Sequence, residues 1–359
     1  MFKVYQKYVI KNFIIKFINL SLIFLSLVII LNILEEISFF KNIEVNFIFP
    51  YFLTILNAPM TLFEIFPFIF LLSTQFLFYD FFRKDELNLL KTNGLSNLKI
   101  IKLLFFLSFG IGVITVVIYY NLASKLKFYY TDIKNTYSND NKYLAMVTDS
   151  GLWLKDELNE NILIVKANNI KNEFLGNVII NKFNSEFKLI NTIQSEKVNI
   201  ENNLWLIENP MISKDNISTK YNDSIKLETN FDKERINSLF SNISTLSLLE
   251  LFTLKKDYEK LGYSSDEVII HLLKLFSMPL LYGMLTVLSA MIMLNFKRDK
   301  SILFHIVLGF LVSVIIYYIN FIFTSLGNNG KIPIYLSIFL PIFFISVISI
   351  IGLIRVNEK

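Results

Sequence analysis

The sequence contains no cysteine and only two histidines, His271 and His305. Without cysteine there is no disulfide framework, no cysteine-ligated zinc site and no thiol nucleophile. The two histidines do not fit an H-E-x-x-H metal site, and neither a G-x-x-x-x-G-K-[ST] phosphate loop nor a G-x-S-x-G elbow is present. We therefore expect no metal or cofactor in this chain and no enzymatic activity, so that any use of ATP requires a separate ATPase.

Charged residues are also scarce, at 18% of 359 residues, whereas 53% are hydrophobic. This balance is typical of a membrane protein, because soluble domains carry about 25% charged residues. The net charge of +5 is small, and the basic residues stand next to apolar runs rather than on one polar face. They resemble orientation signals more than a nucleic-acid surface, so no nucleic acid is expected as a partner.

Six apolar runs are long enough to span a membrane, which takes about 20 residues. The first is too long for a signal peptide and is followed by no small-residue cleavage site, so we expect it to be retained. The six predicted spans are Phe13–Leu34, Met60–Phe81, Ile100–Leu122, His271–Leu294, Ile302–Leu326 and Ile334–Ile354.

Lysine and arginine in the short loops predict the orientation of these spans. Basic residues are concentrated in the N-terminal segment, between the second and third spans, between the fourth and fifth, and at the C-terminus. With six spans, all of these segments fall on one side. We therefore predict that both termini are cytoplasmic and that the long segment after the third span is external.

The external segment shows short alternating apolar and polar stretches about ten residues apart, which is typical of β-strands. Examples are Gly151–Asp156, Asn161–Lys166, Glu186–Ile190, Lys197–Glu201 and Asn203–Glu208. The predicted fold is therefore a membrane α-helical protein with six transmembrane helices and an inserted all-β, jelly-roll-like domain. The predicted divisions are residues 1–122 for the first three spans, 123–245 for the β domain, 246–270 for an amphipathic connecting helix, and 271–359 for the last three spans. We expect the connecting helix to lie on the membrane surface and to be capped at its C-terminus by Gly262.

The segment from Phe82 to Ser96, between the second and third spans, is predicted to be a short helix near residues 82–93. Asn93 and Gly94 would end this helix, Ser96 would cap the next one, and Arg83 would pair with Glu86. Two interpretations stay open. The segment is either a solvated amphipathic turn or a coupling helix that docks into a groove of a partner.

Ionisable residues within spans are candidates for function. Glu64 and Asp80 flank the second span, and Lys274 and His305 lie just inside the fourth and fifth. All are near span ends, where a side chain that reaches to the interface is a sufficient explanation. Proline within the second and fourth spans, at Pro67 and Pro279, predicts kinks.

In this order and topology, several motifs resemble the LptF/LptG permeases of lipopolysaccharide export. The motifs are Ala58-Pro59 through Pro67, Asp85-Glu86-Leu87 followed by Asn93-Gly94-Leu95-Ser96, Gly151-Leu-Trp-Leu-Lys-Asp156, and Gly330-Lys-Ile-Pro333 with Pro341. The resemblance covers nearly the whole chain. Leu34-Glu35-Glu36 and the strand at residues 151–156 are more similar to LptG than to LptF.

The resemblance implies a permease subunit that pairs with a second six-helix permease over a dimeric ATPase similar to LptB. It also implies lipopolysaccharide as cargo, a bridge protein similar to LptC, and a location in the bacterial inner membrane with the β domain in the periplasm. Glu86 would contact the ATPase, supported by the rest of the coupling segment, namely Arg83, Asp85, Leu87 and Gly94.

The candidate residues of the substrate cavity are Asn32, Glu35, Lys41, Met60 and His305. LptG relatives often have one lysine late in the first span and another just after the proline before the second span. Here these two positions hold Asn32 and Met60. This difference matters because an anionic lipid requires cations in a medium of low dielectric constant.

Two other functions remain open at this point. The chain is either a membrane-anchored scaffold or receptor whose β domain binds an envelope partner, or a permease of another ABC exporter that moves lipoprotein or peptide. The scaffold predicts no partner ATPase and tolerance of Glu86→Ala, whereas the other exporter predicts a different substrate and a homodimer.

Overall fold

The computed structural model describes residues 3–92, 94–137, 152–158, 161–171, 173–214, 217–233, 236, 242–261, 264–294 and 302–357. The chain divides into two compact units. The first comprises residues 1–130 and 266–359, and the second comprises residues 131–265.

Six helices among the described residues are long and apolar enough to cross a membrane, which confirms the predicted number of spans. The first two are α1 (Val4–Phe39) and α2 (Phe49–Arg83). The third consists of α4 (Asn97–Ile114) and α5 (Tyr120–Thr136), joined by a π-helical turn at Thr115–Tyr119. The last three are α7 (Asp266–Leu294), α8 (Ile302–Asn328) and α9 (Ile334–Asn357), and a short helix α3 (Glu86–Thr92) lies between α2 and α4.

Two helices extend well beyond the apolar runs that predicted them. The second begins at Phe49 rather than Met60, and the third continues past Leu122 to Thr136. Polar residues end a hydropathy signal without ending a helix, because their side chains can bond within it. Thr54, for example, donates its hydroxyl to the Pro50 carbonyl one turn earlier.

Small and hydroxyl-bearing side chains hold the spans of the first unit together. A Cβ on Gly112 of α4 would lie 2.8 Å from the Pro279 Cα of α7, so these two backbones touch. The Thr286 hydroxyl donates to Ser108 at 2.8 Å, and the Ser289 hydroxyl donates to the Leu71 carbonyl at 2.8 Å. Such contacts are typical of membrane bundles, where apolar burial alone does not favour helix association.

The second unit contains an eight-stranded antiparallel sheet, which confirms the inserted β domain. Its strands are β1 (Leu152–Leu158), β2 (Asn161–Lys171), β3 (Phe174–Phe183), β4 (Leu189–Asn199), β5 (Leu204–Glu208), β6 (Met211–Lys214), β7 (Ile217–Lys220) and β8 (Ile225–Glu228). The order is β1-β2-β3-β4-β5-β8, and β4 also pairs with β6, which pairs with β7. The sheet therefore divides at β4.

Buried polar contacts fix the first and last strands of this unit. The Asp156 carboxylate, at the end of the Gly-Leu-Trp-Leu-Lys-Asp motif, accepts bonds of 2.8 Å from both the backbone and the side-chain nitrogen of Asn230. Trp205, only 1% exposed, donates its indole N–H to the Phe231 carbonyl at 2.6 Å. The motif thus ends in a carboxylate that binds the chain just after β8 through two hydrogen bonds.

The predicted amphipathic helix is α6 (Leu248–Leu261), and it belongs to the second unit. A capping box starts it: Glu250 accepts from the Ser247 backbone at 2.7 Å, and the Ser247 hydroxyl accepts from the Glu250 backbone at 3.4 Å. Leu251 and Leu254 are buried, and the helix contacts β1. This side of the helix therefore packs inside the unit, whereas Leu249 is 81% exposed, and the predicted place on a membrane surface stays a prediction. Gly262, its predicted C-terminal cap, lies outside the described residues.

Candidate functional site

The segment after the second span forms a sharply bounded helix of seven residues, α3. Arg83 is the last residue of α2, so the short helix begins at Glu86 rather than at Phe82 as predicted. The turn between the helices places Asp85 at φ 57°, a left-handed conformation that is uncommon outside glycine. Asp85 accepts a hydrogen bond from the Asn88 side chain, which holds the first turn of α3.

The C-terminus of α3 is closed by backbone bonds of the Schellman type. The Gly94 N–H donates to the Lys91 carbonyl at 2.9 Å, and the Leu95 N–H donates to the Leu90 carbonyl at 3.1 Å. Gly94 has φ +81°, which a glycine adopts without strain. Ser96 then caps α4 by accepting from the Lys99 N–H at 3.4 Å, as predicted. Asn93, the other predicted helix-ending residue, lies outside the described residues.

Glu86 occupies the first position of α3 and is largely covered, with its side chain 21% exposed. The predicted pair with Arg83 is wrong: the cation within 4 Å of Glu86 in the described chain is Lys84, at 3.9 Å. The Tyr8 phenol of α1 also lies beside Glu86. The carboxylate thus sits between α1 and the exposed face of α3, where Leu89 is 60% exposed.

Two contacts join the end of α2, just before α3, to α1. The Lys16 Nζ lies 2.6 Å from the Asp80 Oδ2, and the Tyr8 ring stacks on Phe81 with centroids 6.4 Å apart. Leu87, 5% exposed, anchors α3 on its buried side. The short helix α3 is therefore held to the first two spans by these contacts and by the Tyr8–Glu86 contact.

A cavity of about 210 Å³ lies within the first unit, between α2, α7, α8 and α9. Its charged lining residues are Glu64 of α2 and Lys274 of α7, and its neutral polar lining includes Ser313, Tyr317, Asn320 and Thr324 of α8. Met278, Leu285 and Ile342 contribute to the apolar wall.

Glu64 and Lys274 belong to a wider group of ionisable side chains at one end of the spans. Lys127 of α5 lies within electrostatic range of Glu64, and both Lys127 and Lys274 lie within range of His271. The Tyr120 hydroxyl and the His271 Nε2 are 2.9 Å apart, which ties α5 to α7. Ionisable groups gathered at membrane depth are costly and usually functional.

The five candidate substrate residues do not come together in this cavity. Asn32 and Glu35 lie on α1, and Lys41 is exposed on the turn Phe40–Asn42 that follows it. Met60 is 2% exposed within α2. His305, 6% exposed, lies at the level of Gln75, which donates to its backbone carbonyl at 2.9 Å. Fifteen residues of helix separate Gln75 from Met60, a rise of about 22 Å.

The sequence analysis expected His305 to reach to the membrane interface. The structure shows it buried instead. Other contacts were not singled out from the sequence. Tyr8 lies in the basic segment before the first predicted span, where no pattern indicates a contact, and Lys127 follows the predicted end of the third span at Leu122. Only the longer helix, α5, places Lys127 next to Glu64.

The sequence matches one family model along almost its whole length. The model is described as "Lipopolysaccharide export system permease LptF/LptG", and it matches residues 7–355. No curated protein matches the sequence. The matched range contains α3, the β domain and all six spans, apart from the first residues of α1 and the last residues of α9.

Proposed function

The chain belongs to the LptF/LptG family of lipopolysaccharide-export permeases, and we propose that it is the transmembrane subunit of an ABC transporter that extracts lipopolysaccharide from the inner membrane. One observation carries the proposal: the family match covers six spans with a β domain inserted between the third and the fourth. The protein is thus a multi-pass inner-membrane protein of a permease family whose members are non-catalytic subunits.

In this proposal a separate dimeric ATPase, similar to LptB, binds and hydrolyses ATP. It docks on the exposed face of α3, and the covered Glu86 fixes the docking angle through a cation of the partner. The exposed Leu89 supplies an apolar contact in the partner's groove. Movement of α3 reaches the membrane through the Lys16–Asp80 ion pair and the Tyr8–Phe81 stack.

A second six-helix permease, similar to LptF, would complete the cargo cavity, with this chain in the LptG position. That assignment rests on the Gly151–Asp156 motif, whose Asp156 is held by Asn230. Both termini would be cytoplasmic. The sheet would lie in the periplasm and pass the lipid to a bridge protein similar to LptC.

Contact with the cargo headgroup would be made at the external end of α1, by Asn32, Glu35 and Lys41. Asn32 is partly exposed, and its Nδ2 has no hydrogen-bond partner in the part of the chain that the structure describes, so rotation of the amide would allow it to donate to a phosphate oxygen. Lys41 is exposed and supplies a positive charge. These two residues would together replace the lysines of LptG relatives, whereas the buried Met60 and His305 would support the bundle.

The test is purification of the tagged chain in mild detergent, followed by mass spectrometry of the proteins that accompany it. We expect a soluble ATPase with a phosphate loop and a second six-span protein. Glu86→Ala should lower recovery of the ATPase or uncouple its activity from lipid release. The matched control is Glu186→Ala, the same change at a carboxylate that is 71% exposed on the sheet unit. Recovery of neither partner with the unmodified chain would reject the proposal in favour of a scaffold or receptor.

A further inference from the structure

The cavity between α2, α7, α8 and α9 presents one carboxylate and one ammonium group to the same small space. Glu64 and Lys274 are both exposed residues, and neither forms an ion pair within 4 Å with any other described residue. Charges beside apolar side chains are costly unless a partner neutralises them. Lys127 lies within electrostatic range of Glu64 but does not line the cavity, so the cavity itself offers one carboxylate and one ammonium group to a ligand.

The two opposite charges together restrict which ligands the cavity can bind. A purely anionic ligand would meet Lys274 but would be repelled by Glu64, and a purely cationic ligand would face the opposite conflict. A neutral ligand would pair with neither the carboxylate nor the ammonium group that lines the cavity. A ligand that carries a phosphate and a primary amine satisfies both groups, and the Asn320 side chain offers a further polar contact.

Position and size point to a phospholipid headgroup. Glu64 lies nineteen residues before the end of α2 at Arg83, and Lys274 lies twenty residues before the end of α7 at Leu294. At 1.5 Å per residue both stand about 28–30 Å from those ends, one hydrocarbon thickness away and hence at the level of the opposite headgroups. The volume of about 210 Å³ is below the roughly 300–1,000 Å³ of pockets for drug-sized ligands.

We propose that this cavity binds the headgroup of a phospholipid with a primary amine, whose phosphate pairs with Lys274 and whose ammonium pairs with Glu64. Acyl chains would leave along the apolar wall formed by Met278, Leu285 and Ile342. The site is distinct from the cargo contacts proposed for α1. It does not require that the chain exports lipopolysaccharide.

Native mass spectrometry of the full chain with its co-purified partners tests the assignment. The probes are phosphatidylethanolamine, phosphatidylcholine and phosphatidylglycerol, each added at equal concentration. The wild type should retain phosphatidylethanolamine about tenfold more than phosphatidylglycerol, which corresponds to about 1.4 kcal/mol. Glu64→Gln should remove this preference, and Lys274→Gln should weaken binding of both lipids about tenfold.

Lys274→Arg keeps the charge and should keep binding, so that a loss in Lys274→Gln is not attributed to misfolding. The matched control is Lys331→Gln, at an exposed lysine outside the cavity. Equal retention of phosphatidylethanolamine and phosphatidylglycerol by the wild type would overturn the assignment, as would unchanged selectivity in Glu64→Gln. Displacement of the bound phospholipid by lipopolysaccharide without amine substituents would also overturn it, because the cavity would then belong to the cargo.

Discussion

Lys16 of α1 and Asp80 of α2 form an ion pair of 2.6 Å in which both side chains are 29% exposed. Asp80 lies in the last turn of α2, six residues before Glu86, and its neighbour Phe81 stacks on Tyr8. The N-terminal part of α1 is thus held to the end of α2, which immediately precedes α3. A displacement of α3 that also moves the end of α2 must either carry α1 with it or break this pair.

Asp80→Asn is expected to weaken coupling between ATP hydrolysis and lipid release. The pair is intermediate between exposed pairs, worth about 0–1 kcal/mol, and buried pairs, whose disruption costs about 3–5 kcal/mol, so we expect a loss of about 1–2 kcal/mol. Lipid released per ATP hydrolysed, measured on the reconstituted transporter, should fall about fivefold or more.

The exchange of both charges, Lys16→Asp with Asp80→Lys, is the control for this prediction. It restores an attraction between the same two positions, so release per ATP should recover at least in part. If Asp80→Asn alone keeps the wild-type ratio, the ion pair has no part in coupling and only holds the bundle together.

Gly94 should be essential for the position of α3. Its φ of +81° lies in the left-handed region, where a β-carbon costs roughly 1–2 kcal/mol per residue. Gly94→Ala should therefore disrupt the closing bonds at Lys91 and Leu90 and reduce the amount of ATPase that co-purifies. Gly94→Asn is the matched control, because asparagine tolerates this conformation better. Equal recovery of the ATPase with alanine and asparagine would show that the conformation is unimportant for docking.

The sequence was sufficient for the spans and for most of the sheet, because both leave strong patterns. Runs of 20 apolar residues form few structures other than a transmembrane helix. In β1, β2 and β5, apolar and polar residues alternate as expected for half-buried strands. The hairpin of β6 and β7 was missed for the opposite reason. Ile217–Lys220 is exposed along its whole length, so no core imposes an alternating pattern on it.

Strand β4 shows a different difficulty. The sequence suggested two strands, Glu186–Ile190 and Lys197–Glu201, where the structure has one from Leu189 to Asn199. Residues 184–188 instead form a tight loop, in which the Asn184 side chain accepts from the Glu186 and Lys188 backbones and Phe187 adopts φ 57°. The polar middle of β4 gave no apolar signal, although it pairs with β3 on one side and with β5 and β6 on the other.

For the candidate site, the sequence pattern predicted the helices that carry the residues but not the residues that they contact. Glu86 and its helix were predicted, whereas Tyr8 lies 78 positions away along the chain and carries no local signal for that contact. The same holds for the cavity. Glu64 and Lys274 were noticed singly as ionisable span residues, but only the packing of four helices shows that they line one space.

Asp156→Ala should destabilise the β domain specifically. The Asp156 side chain is buried, at 5% exposure, and its removal takes away a charged acceptor that forms two hydrogen bonds with Asn230. The expected loss is about 2–3 kcal/mol. Thermal unfolding followed by tryptophan fluorescence reports on this unit alone, because both tryptophans of the chain, Trp153 and Trp205, belong to it.

The control for this change is Asp223→Ala, at an exposed carboxylate in the same unit. It should shift the fluorescence transition by much less than Asp156→Ala. Equal transitions for the two variants would mean that the bonds to Asn230 contribute no net stability, and that the aspartate of the motif has another role.

The two positions that hold lysine in LptG relatives should respond differently when lysine is introduced. Met60 is 2% exposed, so Met60→Lys forces a cation into the bundle at a cost of several kcal/mol, and the melting temperature should fall sharply. Met60→Leu, which nearly conserves volume, should cost less than about 1.5 kcal/mol. Asn32 is partly exposed on α1, where a lysine can extend its charge to the interface, so Asn32→Lys should fold normally and retain more lipopolysaccharide on purification. A Met60→Lys variant that is as stable as the wild type and retains more lipid would show that this side chain faces the cargo after all.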